Sequence, residues 1–317
     1  MTATLFLAGP TAVGKSEVAL LLAEKLNGEI ISVDSMQVYR GLDIGTAKPS
    51  AAERACVPHH LIDVAELSDP FDAARFCELA REAVQQIQSR GHRPIFCGGT
   101  GLYFKAFLEG LGEAPPSDAA LRVELEGTPL PTLLEELAAR DPMTFEKIDR
   151  QNPRRVIRAV EVIRLTGKPF SSQRSTWNES ATASAGKLVV LNRPKPELDA
   201  RINARVDAMF AAGLVEETRC LLDHGLEQNP TAMQAIGYRQ VVEHLRGERS
   251  LSEANELVKL RTRQFAKRQL TWFRRQPTTW IDCDPNASLV AENVLRAANE
   301  YSATPVAGKA PEGHRTP

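Results

Sequence analysis

Gly9-Pro10-Thr11-Ala12-Val13-Gly14-Lys15-Ser16 is the stretch on which the reading of this chain turns. It fits the pattern GxxxxGK[ST] of a phosphate-binding loop, and its flanks agree with it. Thr4-Leu5-Phe6-Leu7-Ala8 before it is a short buried-strand pattern, and Glu17 to Leu26 after it has the apolar spacing of a helix. In such a loop the glycines let backbone N–H groups turn inward around phosphate oxygens, and the helix N-terminus adds a positive dipole. Lys15 adds a charge, and Ser16 offers a hydroxyl to Mg2+. A P-loop by itself means phosphate, not a particular reaction, and most proteins that carry one use ATP or GTP.

Working outward, Glu29 to Val33 reads as the next strand, Phe71 to Arg90 as a helix, and Pro94 to Cys97 as a strand ending in Gly98-Gly99-Thr100-Gly101. Strands alternating with helices predict an α/β fold, a P-loop NTPase-like parallel sheet flanked by helices. From Glu113 to Leu133 the composition shifts to Pro, Gly, Glu and Ala, and the chain stays helical until Lys187 to Leu191, a further strand. The core is therefore placed at 1–114 and 187–301, with a mostly helical insertion at about 115–186. Leu198 to Leu222 and Leu251 to Arg275 read as long helices, and 302–317 as a disordered tail with nothing to bury.

Composition narrows the class. The 317 residues are 43% hydrophobic, enough for a sizeable core, and the five cysteines show no CxxC pair, which argues against a disulfide framework or a zinc site. His59 and His60 read as packing or loop residues. The segment before Gly9 is too short for a signal peptide and no run is apolar enough for a membrane span, so a cytoplasmic protein is expected, and a monomer. The net charge of −1 hides a basic stretch from Glu253 to Arg275, with seven Lys/Arg against two Glu. On a helical wheel Val258, Phe265, Ala266, Trp272 and Phe273 share one face and the basic side chains take the rest, which favours an anionic backbone partner.

Asp34 falls just after the second strand, where strand C-termini of an open α/β sheet meet the ligand crevice. It is a candidate general base, with a metal-ligating or loop-capping role as the alternatives. Its neighbours Ser35, Met36 and Gln37 continue the loop, and Gln37 and Ser35 have groups able to bond a base edge.

Four blocks carry a family resemblance: Gly-Pro-Thr-Ala-Val-Gly-Lys-Ser at 9–16, Ser-Val-Asp-Ser-Met-Gln-Val-Tyr-Arg at 32–40, Gly-Gly-Thr-Gly-Leu-Tyr at 98–103 and Gly-Tyr-Arg-Gln at 237–240. With the late helix Arg261 to Arg274, they make the chain resemble the tRNA dimethylallyltransferases from residue 9 to residue 274. The resemblance implies transfer of a dimethylallyl group from dimethylallyl diphosphate to N6 of adenine 37, 3′ of the anticodon, in tRNAs reading codons that begin with U. The P-loop would then hold a leaving diphosphate with Mg2+.

By that resemblance Lys15 and Arg201 hold the diphosphate, with Arg205, one helical turn on, as the alternative to Arg201. Asp34 becomes the base, and Thr100 bonds the acceptor nucleotide or steadies its amine, a turn-capping role being the other reading. An adenine stacked in the anticodon loop must be drawn out to react. Arg122 and the run Arg154, Arg155, Val156, Ile157, Arg158 resemble tRNA-contacting positions, as does Gln234, Ala235, Ile236, Gly237, Tyr238, Arg239. Many relatives have Gln where Arg154 stands, so a phosphate contact is expected there in place of an amide-to-base bond. The competing readings are a small-molecule kinase, a nucleotide switch or RNA-binding module without catalysis, and prenylation of free adenine nucleotides.

Overall fold

Leu5-Phe6-Leu7-Ala8 can be apolar without a break only where both faces of a strand are covered, and all four residues are buried as strand β1 (Leu5–Ala8). The structure, a computed structural model, describes residues 3–111, 114–173 and 188–302. The chain forms two compact units, Met1–Phe104 with Ala185–Pro317, and Lys105–Ser184.

In the first unit β1 is followed by α1 (Lys15–Leu26), β2 (Gly28–Val33), α2 (Ala51–Cys56), β3 (His59–His60), α3 (Ala73–Ser89), β4 (Arg93–Gly98) and α4 (Gly101–Glu109), inside which the second unit begins. Local chemistry sets these limits. Asn27 ends α1 in the left-handed conformation (φ 48°). The Asp72 carboxylate starts α3 by accepting the Ala74 and Arg75 N–H groups at 2.9 Å.

The second unit holds α5 (Ala119–Gly127), α6 (Leu130–Arg140), α7 (Pro142–Lys147), α8 (Pro153–Thr166) and α9 (Phe170–Gln173). Asp118, Asp141 and Asn152 cap α5, α7 and α8 with their side chains. Leu125, Leu133, Leu137, Val156, Val160 and Ile163 close its core.

The first unit resumes with β5 (Leu188–Asn192), α10 (Lys195–Ala211), α11 (Leu214–Asp223), α12 (Tyr238–Leu245), α13 (Leu251–Phe273), β6 (Thr278–Asp282) and α14 (Ala287–Ser302). The six strands lie in the order β3-β2-β4-β1-β5-β6 and every pair is parallel. All loops that follow a strand therefore leave from one edge of the sheet, with the P-loop near its middle.

Two expectations need correction, and two elements had not been expected. The helix read as Leu198 to Leu222 is two, because Gly213 takes φ 100° and turns the chain between α10 and α11. His59 and His60 form the edge strand β3, pairing with Ile30 and Ile31. Strand β6 and helix α14 gave no clear sequence signal: β6 is a half-buried edge, while Val290, Ala291 and Val294 of α14 join the main core beside Val18 and Leu22. The tail from 303 and Lys187 lie outside the described residues.

At the far end of the sheet from the P-loop, the Glu29 carboxylate is 2% exposed. Burial alone would push its pKa up, but hydrogen bonds from Arg90, His60 and His92 outweigh that and hold it down to about 2. This cluster ties β2, β3 and the turn after α3 together, away from the site described next.

Candidate active site

The P-loop is shaped by close packing. A Cβ on Gly9 would lie 2.9 Å from the Leu191 carbonyl oxygen and 3.1 Å from Val13 Cγ1, so only glycine fits against the end of β5. Gly14 (φ 115°) and Ala12 (φ 62°) bend the loop into α1. Gly14 supplies no side-chain cap, so the first-turn N–H groups of α1 have no partner inside the helix and are open to an anion.

Carbonyl oxygens of the loop face cations. Lys15 Nζ donates to the Pro10 oxygen at 2.7 Å, Arg201 Nε to the Ala12 oxygen at 2.9 Å and Arg193 Nε to the Val13 oxygen at 3.4 Å. Arg205 donates to the Thr11 hydroxyl at 3.3 Å. Burial of its amine, with Arg205 adding repulsion, lowers the Lys15 pKa to about 8. Burial, then the Arg201 charge, lowers that of Arg205.

Asp34 follows β2 as expected. Its Oδ1 accepts the Met36 and Gln37 N–H groups at 2.8 and 3.3 Å, and among the described residues no protein donor reaches Oδ2. One oxygen thus fixes the loop while the other remains free to take a proton. Thr100 Oγ1 accepts the Ser35 N–H at 3.1 Å, and the Thr100 N–H donates to the Val33 oxygen, joining the loops after β2 and β4.

A cavity of about 90 Å³ brings these parts together: Thr11, Lys15, Ser16, Asp34, Arg205 and Gln269 all line it. A second cavity of about 470 Å³, outside the loop, is lined by Lys15, Ser16, Arg201 and Arg205. Arg205 lines both and Arg201 only the outer one, so the two arginines offered as alternatives by the sequence are both at the loop. Cys97 also lines the inner cavity, and burial pushes its thiol up to about 11. A neutral thiol is a poor competitor for an electrophile.

Several expected nucleic-acid contacts are instead parts of the protein's own framework. Gln37 does not offer a free amide, because Oε1 accepts the Ser32 hydroxyl and Nε2 donates to the Thr46 and Ala47 oxygens. Tyr238 is 0% exposed. Its hydroxyl donates to Glu217 at 2.6 Å and accepts the Gly45 N–H at 3.1 Å, and the ring fills the space where a Cβ on Gly45 would stand. Ala235 is buried, Ile236 packs on the core and the Gly237 N–H bonds Gln240, which leaves Gln234 and Arg239 exposed in that segment.

In the second unit Val156 and Ile157 are core residues of α8, since an arginine-rich helix still needs an apolar stripe. Arg158 donates to Glu161 at 2.8 Å and to the Pro115 oxygen, and Arg122 lies 3.7 Å from the same Glu161, which is 0% exposed. Arg154 and Arg155 are the exposed pair. Although Arg154 as a whole is exposed, partial desolvation of its guanidinium and then the Arg122 charge lower its pKa, with Glu126 opposing them.

On α13 the buried stripe is Ala254, Val258, Ala266, Gln269 and Phe273, while Phe265 and Trp272 are half-buried. The Trp272 ring lies where a Cβ on Gly101 would be. Lys259 is held by Asp207 and Glu256 and Arg263 by Asn203, so Arg261, Lys267, Arg268, Arg274 and Arg275 remain exposed.

Sequence reading passed over Arg193, Gln269, Glu161 and Glu217. Arg193 stands directly after β5, the position that singled out Asp34 after β2, and Gln269 is a polar residue inside an apolar stripe. Those two signals were present. Nothing local marks Glu161 or Glu217.

Comparison with known proteins adds the context. The family model described as "IPP transferase" matches residues 37–276. The chain is 47% identical over 293 residues to "tRNA dimethylallyltransferase 1" of Trichlorobacter lovleyi, covering 90% of this chain and 95% of that protein. It is 46% identical over 280 residues to the tRNA dimethylallyltransferase of Geobacillus kaustophilus, covering 86% and 88%. Its fold is similar to the full-length tRNA isopentenylpyrophosphate transferase of Bacillus halodurans (TM-score 0.69, 38% identity, 95% and 98% covered). It also matches a eukaryotic dimethylallyltransferase described as acting on tRNA (TM-score 0.79, 28% identity, 98% and 82% covered).

Proposed function

This chain belongs to the IPP transferase family, and we propose that it transfers a dimethylallyl group from its diphosphate to the N6 amine of an adenine in tRNA. The observation that carries the reading is the shared inner cavity: a phosphate-binding loop and a carboxylate with one free oxygen open onto the same small space. A kinase can use such a loop and such a base as well, and the relationship to tRNA dimethylallyltransferases is what favours prenyl transfer over phosphoryl transfer.

The donor's diphosphate would sit on the first-turn amides of α1, with Lys15, Arg201 and Arg205 neutralising the charge that grows as it leaves. The N6–C1 bond forms as the C1–O bond to diphosphate breaks, and the amine proton passes to Asp34 Oδ2. Thr100, fixed by Ser35, stands on the loop beside Asp34 and orients the amine. Phe265, the one aromatic side chain among the described residues lining the inner cavity, would stand beside the allylic group and limit the approach of water to it.

Mg2+ fits the outer cavity. The Ser16 hydroxyl is exposed there, and among the described residues no group of three or more His, Cys, Asp or Glu gathers. Ser16 and the diphosphate oxygens would hold such an ion with water, as this cation prefers, and it would supply further charge neutralisation. EDTA should slow transfer and added Mg2+ restore it.

The acceptor is the anticodon stem-loop, at adenine 37 in tRNAs reading codons that begin with U. The candidates for its contacts are the exposed basic face of α13 in the first unit and, taken separately, Arg154 and Arg155 in the second. The protein works in the cytoplasm as a monomer, which size-exclusion chromatography checks. Among the described residues no helix is long and apolar enough to cross a membrane.

Radiolabelled dimethylallyl diphosphate and unmodified tRNA test the reaction. Label in tRNA is the expected result, located 3′ of the anticodon by mass spectrometry of nuclease fragments. ATP turnover without prenyl transfer overturns the reading, and preferential labelling of AMP would move the acceptor to free nucleotides.

A further inference from the structure

An amide buried in an apolar helix stripe is unfavourable unless its hydrogen bonds are made. Gln269, 7% exposed on α13, makes two, each to a different loop of the active site. Its Oε1 accepts the Thr11 N–H of the P-loop at 2.9 Å, and its Nε2 donates to the Gly99 oxygen, beside Thr100, at 3.0 Å. The fit is close, since a Cβ on Gly99 would lie 2.2 Å from Nε2. Gln269 also lines the inner cavity with Lys15 and Asp34. Its neighbours Lys267 and Arg268 belong to the exposed basic face of the same helix.

We propose that Gln269 is a positioning residue for prenyl transfer. It sets the spacing between the loop that holds the leaving diphosphate and the loop that carries Thr100 to the acceptor amine, and it does so from the helix that faces RNA. This rests on the reaction proposed above. The role needs an acceptor and a donor on one planar group of this length. A neutral glutamic acid has both, because its carbonyl can accept from Thr11 and its hydroxyl can donate to Gly99. A glutamate anion has no proton for Gly99 and turns an acceptor toward an acceptor.

The variants Gln269→Met and Gln269→Glu test this in the full-length protein with tRNA. In Q269M, kcat at saturating donor and tRNA should fall about tenfold or more, as loss of alignment does, while tRNA affinity by filter binding stays within about twofold of wild type. In Q269E, the ratio of kcat to that of wild type should rise as pH is lowered through the titration of the introduced carboxyl. A purely structural amide would lower thermal stability and leave that ratio flat with pH. A kcat for Q269M within about twofold of wild type, or tRNA affinity lost in parallel with kcat, or a flat ratio for Q269E, overturns the proposal. If Q269M does not fold by circular dichroism, the Q269E profile decides alone. Wild-type protein that fails to prenylate tRNA would sink the reaction itself, a result distinct from active wild type with an unaffected Gln269 variant.

Discussion

The Lys15 amine donates to the Pro10 carbonyl oxygen at 2.7 Å, so the lysine of the P-loop is tethered to its own loop. Burial holds its pKa near 8, well below the usual 10.5. A diphosphate binds the protonated amine better than the neutral one. Affinity for an alkyl diphosphate, which unlike free pyrophosphate has no proton left to lose in this range, should therefore decline as pH rises through about 8 toward 10. Isothermal titration at about pH 8.5 in two buffers of different ionisation enthalpy should show proton uptake on binding. No uptake, with affinity flat across that range, would mean the amine is fully charged without ligand. For folding the sign is opposite: the unfolded chain holds the extra proton between pH 8 and 10.5, so this lysine's contribution to stability grows as pH rises there.

Asp34→Asn keeps an oxygen able to accept the Met36 and Gln37 N–H groups, so the loop should hold its shape. The variant loses only the proton acceptor. kcat should drop by about 10²–10⁴-fold, the usual worth of a general base, with the unfolding temperature unchanged. A fall of less than about tenfold would reduce Asp34 to orienting the amine.

Tyr238→Phe removes one hydroxyl that joins Glu217 to Gly45. The Gly45 N–H still donates to Glu217, and Glu217 still accepts the Ile44 N–H, so the loss should cost only about 0.5–1.5 kcal/mol by urea unfolding. Because the ring has no exposed surface, tRNA affinity should not change. Weaker tRNA binding at a temperature where the variant is fully folded would restore the sequence-based expectation of an RNA contact.

In the second unit Glu161→Ala leaves Arg158 and Arg122 facing each other without their shared buried carboxylate. Breaking a buried pair on one side costs about 3–5 kcal/mol, and the part-exposed arginines put this case near the lower end. A reduced unfolding temperature, or loss of a separate low-temperature transition for this unit, is the expected calorimetric result. A shift within about 1 °C would show that the arginines turn to solvent without penalty.

The sequence by itself determined the parallel α/β core, the P-loop and the place of Asp34. Each is a local signal: an unbroken apolar run for a strand covered on both faces, a motif of fixed spacing, and an acid at a strand end. The helical periods of α3 and α13 were legible for the same reason, and the family blocks extended that reading to the reaction. Only the tertiary structure decided which polar side chains serve the site and which hold the fold. Gln269 meets Thr11 across 258 residues of chain, and Tyr238 meets Glu217 from a neighbouring helix inside the core. Such partnerships depend on strand order and helix packing, which no local window contains. An arginine or tyrosine reads the same in sequence whether it is exposed, as Arg154 is, or faces a buried carboxylate, as Arg158 does. The difference is made by Glu161, whose burial follows from the packing of α8 against the rest of its unit.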